Sequence, residues 1–158
     1  MNIERGSPSD AESMLQNLNF FREFADSRHH RKEETILFPA LAQRGFPLEV
    51  GPIRVMLQEH DTGRKLLRVT EKALRSFLEG KFGAGVEASQ LALAFSTHLR
   101  QHIFKENNML FPMADQALTE TDQAEIQAAF SLADRVNGGG QAWLEALNHL
   151  MPSAASIV

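Results

Sequence analysis

Apolar residues recur along most of this chain at the three- and four-residue intervals of an amphipathic helix, and nowhere do they alternate as they would in a strand. Met14, Leu15, Leu18, Phe21, Phe24 and Ala25 begin a first stripe that runs through His29 and Glu33 to Leu37, Phe38 and Pro39. Ser7-Pro8 fits an N-cap followed by a first-turn proline, and Ser9 with Glu12 fits a capping box. Gly45-Phe46-Pro47 ends the element. Gly51-Pro52 opens a second helix with Ile53, Met56, Leu57, His60, Leu67 and Leu74 on one stripe, and Gly80 to Gly85 closes it. A third is expected from about Val86 to Ala117 through Leu91, Phe95, His98, His102 and Glu106. Thr119 with Asp122 starts a fourth, through Ile126, Phe130 and Leu132. The Gly138-Gly139-Gly140 run breaks the chain before a short piece, Gln141 to Leu150, and a frayed tail at 151–158. Long helices joined by short loops pack antiparallel, so the fold class is all-α, an up-and-down helix bundle forming one domain over residues 1–150. Pro39 and Pro112 are each expected to kink or end their helix.

Composition narrows the chemistry. The 158 residues include no cysteine and no tyrosine, which excludes disulfides, thiolate metal sites and a cysteine nucleophile. Six histidines and twenty acidic residues leave imidazole and carboxylate as the available groups. A net charge of −4 gives no basic face for nucleic acid. No signal-like or membrane-spanning apolar run is visible, so a cytoplasmic location and no membrane partner are expected. No nucleophile–base pair and no phosphate-binding loop appears, which leaves hydrolase and kinase readings without support.

The strongest signal is an internal repeat. Residues 29–39 read HHRKEETILFP and residues 102–112 read HIFKENNMLFP. They align without a gap, matching His29 with His102, Lys32 with Lys105, Glu33 with Glu106, and Leu37-Phe38-Pro39 with Leu110-Phe111-Pro112. His and Glu four residues apart share one helix face, and two such pairs on two helices can aim four side chains at one point. A His and a carboxylate from each helix is how a bundle holds a pair of borderline metal ions. His60, in Glu59-His60-Asp61, lies on the apolar stripe between them and adds a third imidazole. His29-His30 and Glu33-Glu34 offer two registers, and only His29/Glu33 stands at the same distance from Leu-Phe-Pro as His102/Glu106. His30 and Glu34, rotated by about 100° on an α-helix, then read as outer or solvent-facing groups.

These residues carry a resemblance. His-x-x-x-Glu-x-x-x-Leu-Phe-Pro at 29–39 and again at 102–112, Glu-His-Asp at 59–61, and the phrases Gly51-Pro52-Ile53 and Gly63-Arg64 resemble the hemerythrin-like (HHE cation-binding) domains over roughly residues 10–118. The resemblance implies a four-helix bundle around a non-heme di-iron centre. His29, His60 and His102 would be terminal ligands, Glu33 and Glu106 would bridge the metals, and O₂, NO or a peroxide would fill open positions. It also implies a helix before Ser9 that carries a further histidine, and a histidine where Arg64 stands. The core at 9–118 therefore looks one helix short of that pattern, with an additional helical extension at 119–150. A real upstream start, a replacement by the C-terminal helix or a second subunit, and a decayed site are the competing explanations, with His98 and His149 as candidate substitutes. Three imidazoles and two bridging carboxylates supply about seven donors where two six-coordinate ions want about twelve, and such a donor set also accepts manganese or zinc.

The function expected from this is a di-iron protein that binds or senses O₂ or NO, or handles iron and redox damage. The alternatives are a metal-free helical interaction domain and a di-iron oxidoreductase acting on peroxide or NO. A groove left by an absent helix is expected to drive self-association. Phe20, Phe21, Phe24, Phe38, Phe95, Phe104 and Phe111 are assigned mostly to the core. Asp26, Arg28, Arg31 and Lys32 are assigned to a solvated face, and Lys32 is given no partner.

Overall fold

The computed structural model describes residues 7–136, and the triglycine break, the short piece at 141–150 and the tail lie outside the described residues. Every described element is helical. Four segments, Pro8–Phe20, Phe21–His30, Glu33–Leu37 and Phe38–Gln43, run end to end as one rod, α1 (residues 8–43). Helix α2 is Gly51–Leu78. Ala84–Lys105, Glu106–Leu110 and Phe111–Ala117 make a second composite rod, α3 (residues 84–117), and α4 is Glu120–Val136. The all-α bundle read from the sequence is the architecture observed.

The helix starts follow local chemistry. Ser7 caps α1 and exchanges hydrogen bonds with Asp10: its hydroxyl accepts from the Asp10 amide, and the Asp10 carboxylate accepts from the Ser7 amide at 2.9 Å. The reciprocal box thus sits at Ser7/Asp10, not Ser9/Glu12, because Pro8 takes the first helical position. Helix α4 starts as expected, the Thr119 amide donating to Asp122 at 2.8 Å and the Asp122 amide donating back to the Thr119 hydroxyl at 3.2 Å. Gly83 precedes α3 with φ of 78°, a left-handed geometry that costs a glycine least.

The two prolines neither end nor break their rods. Ahead of each, the backbone opens into a wide turn with hydrogen bonds five residues long. The Phe38 amide bonds to the Glu33 carbonyl and the Phe111 amide to the Glu106 carbonyl. A proline supplies no amide and its ring crowds the preceding turn of an α-helix. Widening that turn by one residue lets the rod continue. The first rod is also wide over Phe21–His30, where the Arg31 amide reaches the Asp26 carbonyl. Such turns occur mostly at functional sites.

Two apolar cores stack along the bundle. One joins Ala11, Leu18, Leu67, Leu74, Ala88 and Phe95. The other joins Leu37, Phe38, Leu41, Ile53, Met56, Leu110 and Ala114, with Ile126 and Phe130 of α4 laid against it. Between them, at the middle of each rod, lies a polar layer. Helix α4 is further pinned to α1 by Arg44, whose Nε and Nη2 donate to Asp122 at 2.8 Å each, and by Lys32, which reaches Asp134 at 2.9 Å and lies 5.2 Å from the Phe130 ring centre. Lys32 therefore has a partner that the sequence did not suggest. Phe104 departs from its core assignment and is 64% exposed.

Candidate metal centre

The polar layer is the part of the molecule that apolar packing leaves unexplained. Six polar or charged side chains are buried among the described residues: His30, Glu33, His60, Thr70, His102 and Glu106. Thr70 is accounted for by its 2.7 Å bond to the Leu66 carbonyl. The other five gather at one place, with His29 at their edge.

The outer nitrogen of two imidazoles is held from behind. His60 Nδ1 lies 2.7 Å from Glu34 Oε1, and His102 Nδ1 lies 3.0 Å from Glu59 Oε2. A carboxylate only accepts, so each Nδ1 carries the proton and each Nε2 points inward. The carboxylates are themselves tied. Arg64 donates to Glu34 at 2.7 Å and to Asp26 at 2.6 Å, and Lys105 donates to Glu59. An imidazole whose far nitrogen is fixed by a carboxylate is oriented as metal-binding histidines are.

On the inner side, His60 Nε2 is 3.3 Å from Glu33 Oε2, and His102 Nε2 is 3.0 Å from Glu106 Oε1. His29 Nε2 reaches the same Glu106 oxygen at 3.3 Å and stands 3.7 Å from Glu33 Oε1. The four residues singled out by the repeat, His29, Glu33, His102 and Glu106, and His60 from the apolar stripe of the intervening helix are thus brought together across three helices. Glu33, His60, His102 and Glu106 each offer a donor atom within 4.8 Å of the others. They differ in shielding: the His29 side chain is 47% exposed, against 3% for His102.

The fit to a cation rests on orphaned atoms. Both Glu33 oxygens, His60 Nε2, His102 Nε2 and His30 Nδ1 are fully buried without a hydrogen-bond partner. Burying such groups unpaired costs several kcal/mol, so a cluster of them calls for a compensating charge. The electrostatics agree. The Glu106 carboxyl is pushed up by burial, but bonds from His102 and His29 outweigh this and hold it well below the usual range. Burial pushes His102 down, yet Glu106 and Glu59 carry it above the ordinary imidazole value. His29 is raised first by its bond to Glu106, against the pull of burial. The cluster favours positive charge at its centre, whether from protons or from a metal. The donor set of imidazoles and carboxylates suits iron, manganese or zinc.

A match to the hemerythrin HHE cation-binding domain covers residues 2–114. The chain belongs to that family. Its hemerythrin-family relatives include the iron-sulfur cluster repair protein YtfE of Yersinia pseudotuberculosis, 34% identical over 113 residues, 70% of this chain and 47% of the relative. YtfE of Pectobacterium carotovorum is 36% identical over 90 residues, 56% of this chain and 41% of that protein. The chain spans less than half the length of these relatives. No solved structure matches it. The family is named for cation binding, and the buried layer gathers groups that could hold a metal ion.

Three neighbours take places that the sequence argument did not foresee. His30, assigned to the outside, is 8% exposed, and its ring stacks on His60 with centres 3.9 Å apart. The register argument assumed α-helical winding, whereas residues 21–30 are wound wide. Burial, followed by the His60, His102 and His29 charges, pushes His30 down to about 2, so its ring is neutral. Asp26 is drawn out of its solvated-face assignment by Arg64. His98, a candidate substitute ligand, instead donates from Nε2 to the Glu59 carbonyl at 2.8 Å and latches α3 to α2. His149 lies outside the described residues. The pairings of Asp26 and Glu34 with Arg64 and of Glu59 with Lys105 join residues far apart in sequence and leave no periodic trace there.

Proposed function

We propose that this chain is a non-heme di-iron protein that binds a small diatomic ligand, O₂ or NO, in the service of iron or redox handling. The carrying observation is the set of buried, unpartnered donors on Glu33, His60 and His102 facing Glu106 and His29. In this reading His29, His60 and His102 bind as terminal imidazoles and Glu33 and Glu106 bridge. A bound iron pair would supply one-electron redox steps and open positions for a small ligand. The protein's own contribution is placement and shielding. Glu34 and Glu59 fix the imidazole tautomers, Arg64 and Lys105 hold those carboxylates, and Phe38 stacks 5.8 Å from His60 on the dry side. A partly open cavity of about 20 Å³ beside His30 and His102, walled by Phe21, Leu67, Phe95 and Leu99, has room for one water-sized molecule. The size of that space favours a diatomic over an organic substrate.

Relatives named for iron-sulfur cluster repair support the iron-handling branch, with this chain supplying the metal-binding part. No described helix is long and apolar enough to cross a membrane. The test is anaerobic loading with ferrous iron followed by metal analysis and visible spectroscopy with NO. Two irons per chain and an NO-dependent absorption band are expected. A chain that takes up no iron overturns the reading, and iron uptake with no spectral response to NO or O₂ removes the diatomic ligand from it.

A further inference from the structure

His30 is buried in the polar layer beside His60 and His102. Two of the three buried rings have a carboxylate hydrogen-bonded behind Nδ1, Glu34 at 2.7 Å for His60 and Glu59 at 3.0 Å for His102, while Asp26 Oδ1 stands 3.5 Å from His30 Nδ1 without making a hydrogen bond. Each of those carboxylates is tied by a cation, and one guanidinium, Arg64, serves both Asp26 and Glu34. Glu106 faces the layer from α3. His30, His60 and His102 each offer one ring nitrogen, and these lie within 4.8 Å of one another, a spread that a metal ion can close. His30 stacks on His60 at 3.9 Å and meets His102 edge-on at 5.3 Å.

A histidine in a core for packing alone would place its nitrogens on protein partners. The Nδ1 of His30 has none within hydrogen-bond geometry, although the atom is fully buried. The repeat gives no reason for it either, because the matching position in the second copy is Ile103, 43% exposed. The first copy therefore carries an inward imidazole that its twin lacks.

We infer that His30 is a further ligand of the metal centre, giving it a fourth imidazole that the doubled motif does not encode. This rests on the metal reading above. The site then holds four imidazoles and two carboxylates, a set richer in nitrogen than the motif alone provides, which favours a borderline ion such as ferrous iron over magnesium or calcium.

The test compares wild type with His30→Phe, which keeps the ring stack and removes the donor, and with His30→Gln, which keeps a polar group and covers a failure of the first to fold. Ferrous iron alone is the probe. Its affinity, the number of imidazoles per iron by X-ray absorption, and the melting temperature with and without iron are measured. Removing a carboxylate that only steadies a ligand costs about 10–100-fold in metal affinity, and loss of His30 is expected to exceed about 100-fold. It should also lower the imidazole count and shrink the iron-dependent rise in melting temperature. Variants that load like wild type with the same imidazole count overturn the assignment. So does a lowered melting temperature without iron combined with an unchanged iron-dependent rise, the pattern of a packing residue. Wild-type protein that takes up no iron overturns the metal reading and this assignment together, whereas normal wild-type loading beside an equally loaded variant overturns the assignment alone.

Discussion

Residues 29–39 and 102–112 are near copies in sequence and serve different neighbourhoods. Both place a glutamate in the buried layer and both open into a wide turn before Phe-Pro. Beyond that they diverge. His102 is sealed against α2, while His29 looks outward with about half its side chain exposed. The matching lysines point to different helices, Lys105 to Glu59 of α2 and Lys32 to Asp134 of α4. Phe38 is fully buried, and Phe111 only partly. The comparison teaches that the motif fixes the buried glutamate and the backbone around it, while the surrounding helices decide how wet each copy is.

The largest effect should come where the copies are most alike. Glu33→Ala and Glu106→Ala should each abolish iron uptake, read as metal per chain after loading. If one variant keeps its iron, the copies are not equivalent ligands. The next test falls where they differ. Phe38→Ala empties a fully buried site and should destabilise the metal-free protein by about 3–5 kcal/mol, whereas Phe111→Ala, partly exposed, should cost about 1–2 kcal/mol, both from urea unfolding. Equal losses would show that the two anchors are buried alike in solution. Smaller still are the supporting carboxylates. Glu34→Gln and Glu59→Gln each present a group that can donate where only acceptance fits, and iron affinity should fall about 10–100-fold. A loss confined to Glu59→Gln would mean that Arg64 orients His60 well enough through its other partners.

The smallest effect concerns α4, which is pinned to the first copy through Lys32. The Arg44 guanidinium, with help from Thr119, holds the Asp122 carboxyl below its usual value. A carboxyl depressed in the folded state contributes stability above its unfolded value, near 3.9, and loses it as pH falls through the folded value. Helical content below about pH 4 should therefore drop in wild type, and Asp122→Asn should remove that part of the dependence. An acid profile unchanged by the substitution would sever α4 from the stability of the first copy.

Much of this was legible beforehand. Helix periodicity located every described rod to within two residues, and Thr119/Asp122 marked the start of α4. The repeat spacing selected four residues, and the apolar stripe of the helix between them a fifth, that lie together in the structure. What escaped depends on winding and on distant pairs. Pro39 and Pro112 read as kinks or ends, because a wide turn that absorbs a proline has no sequence periodicity of its own. For the same reason His30 was placed a third of a turn too far out. Lys32 with Asp134 and Arg64 with Asp26 join residues remote in sequence, and no local pattern announces them. Phe104 was assigned inward on hydrophobicity alone, although a lone apolar side chain at a surface is ordinary.

The wide turns also bear on how such a centre is assembled and moved. A glutamate, a stretched turn and a Leu-Phe anchor lie within one short segment, and the extra residue in the turn resets the apolar stripe that follows. The segment can therefore be copied onto another rod of different phase without reworking the helix on either side. Two copies of one cassette, facing each other across a third helix, build the buried layer of imidazoles and carboxylates from repeated parts, and the individuality of each half is left to the few residues, such as His30, that the cassette does not specify.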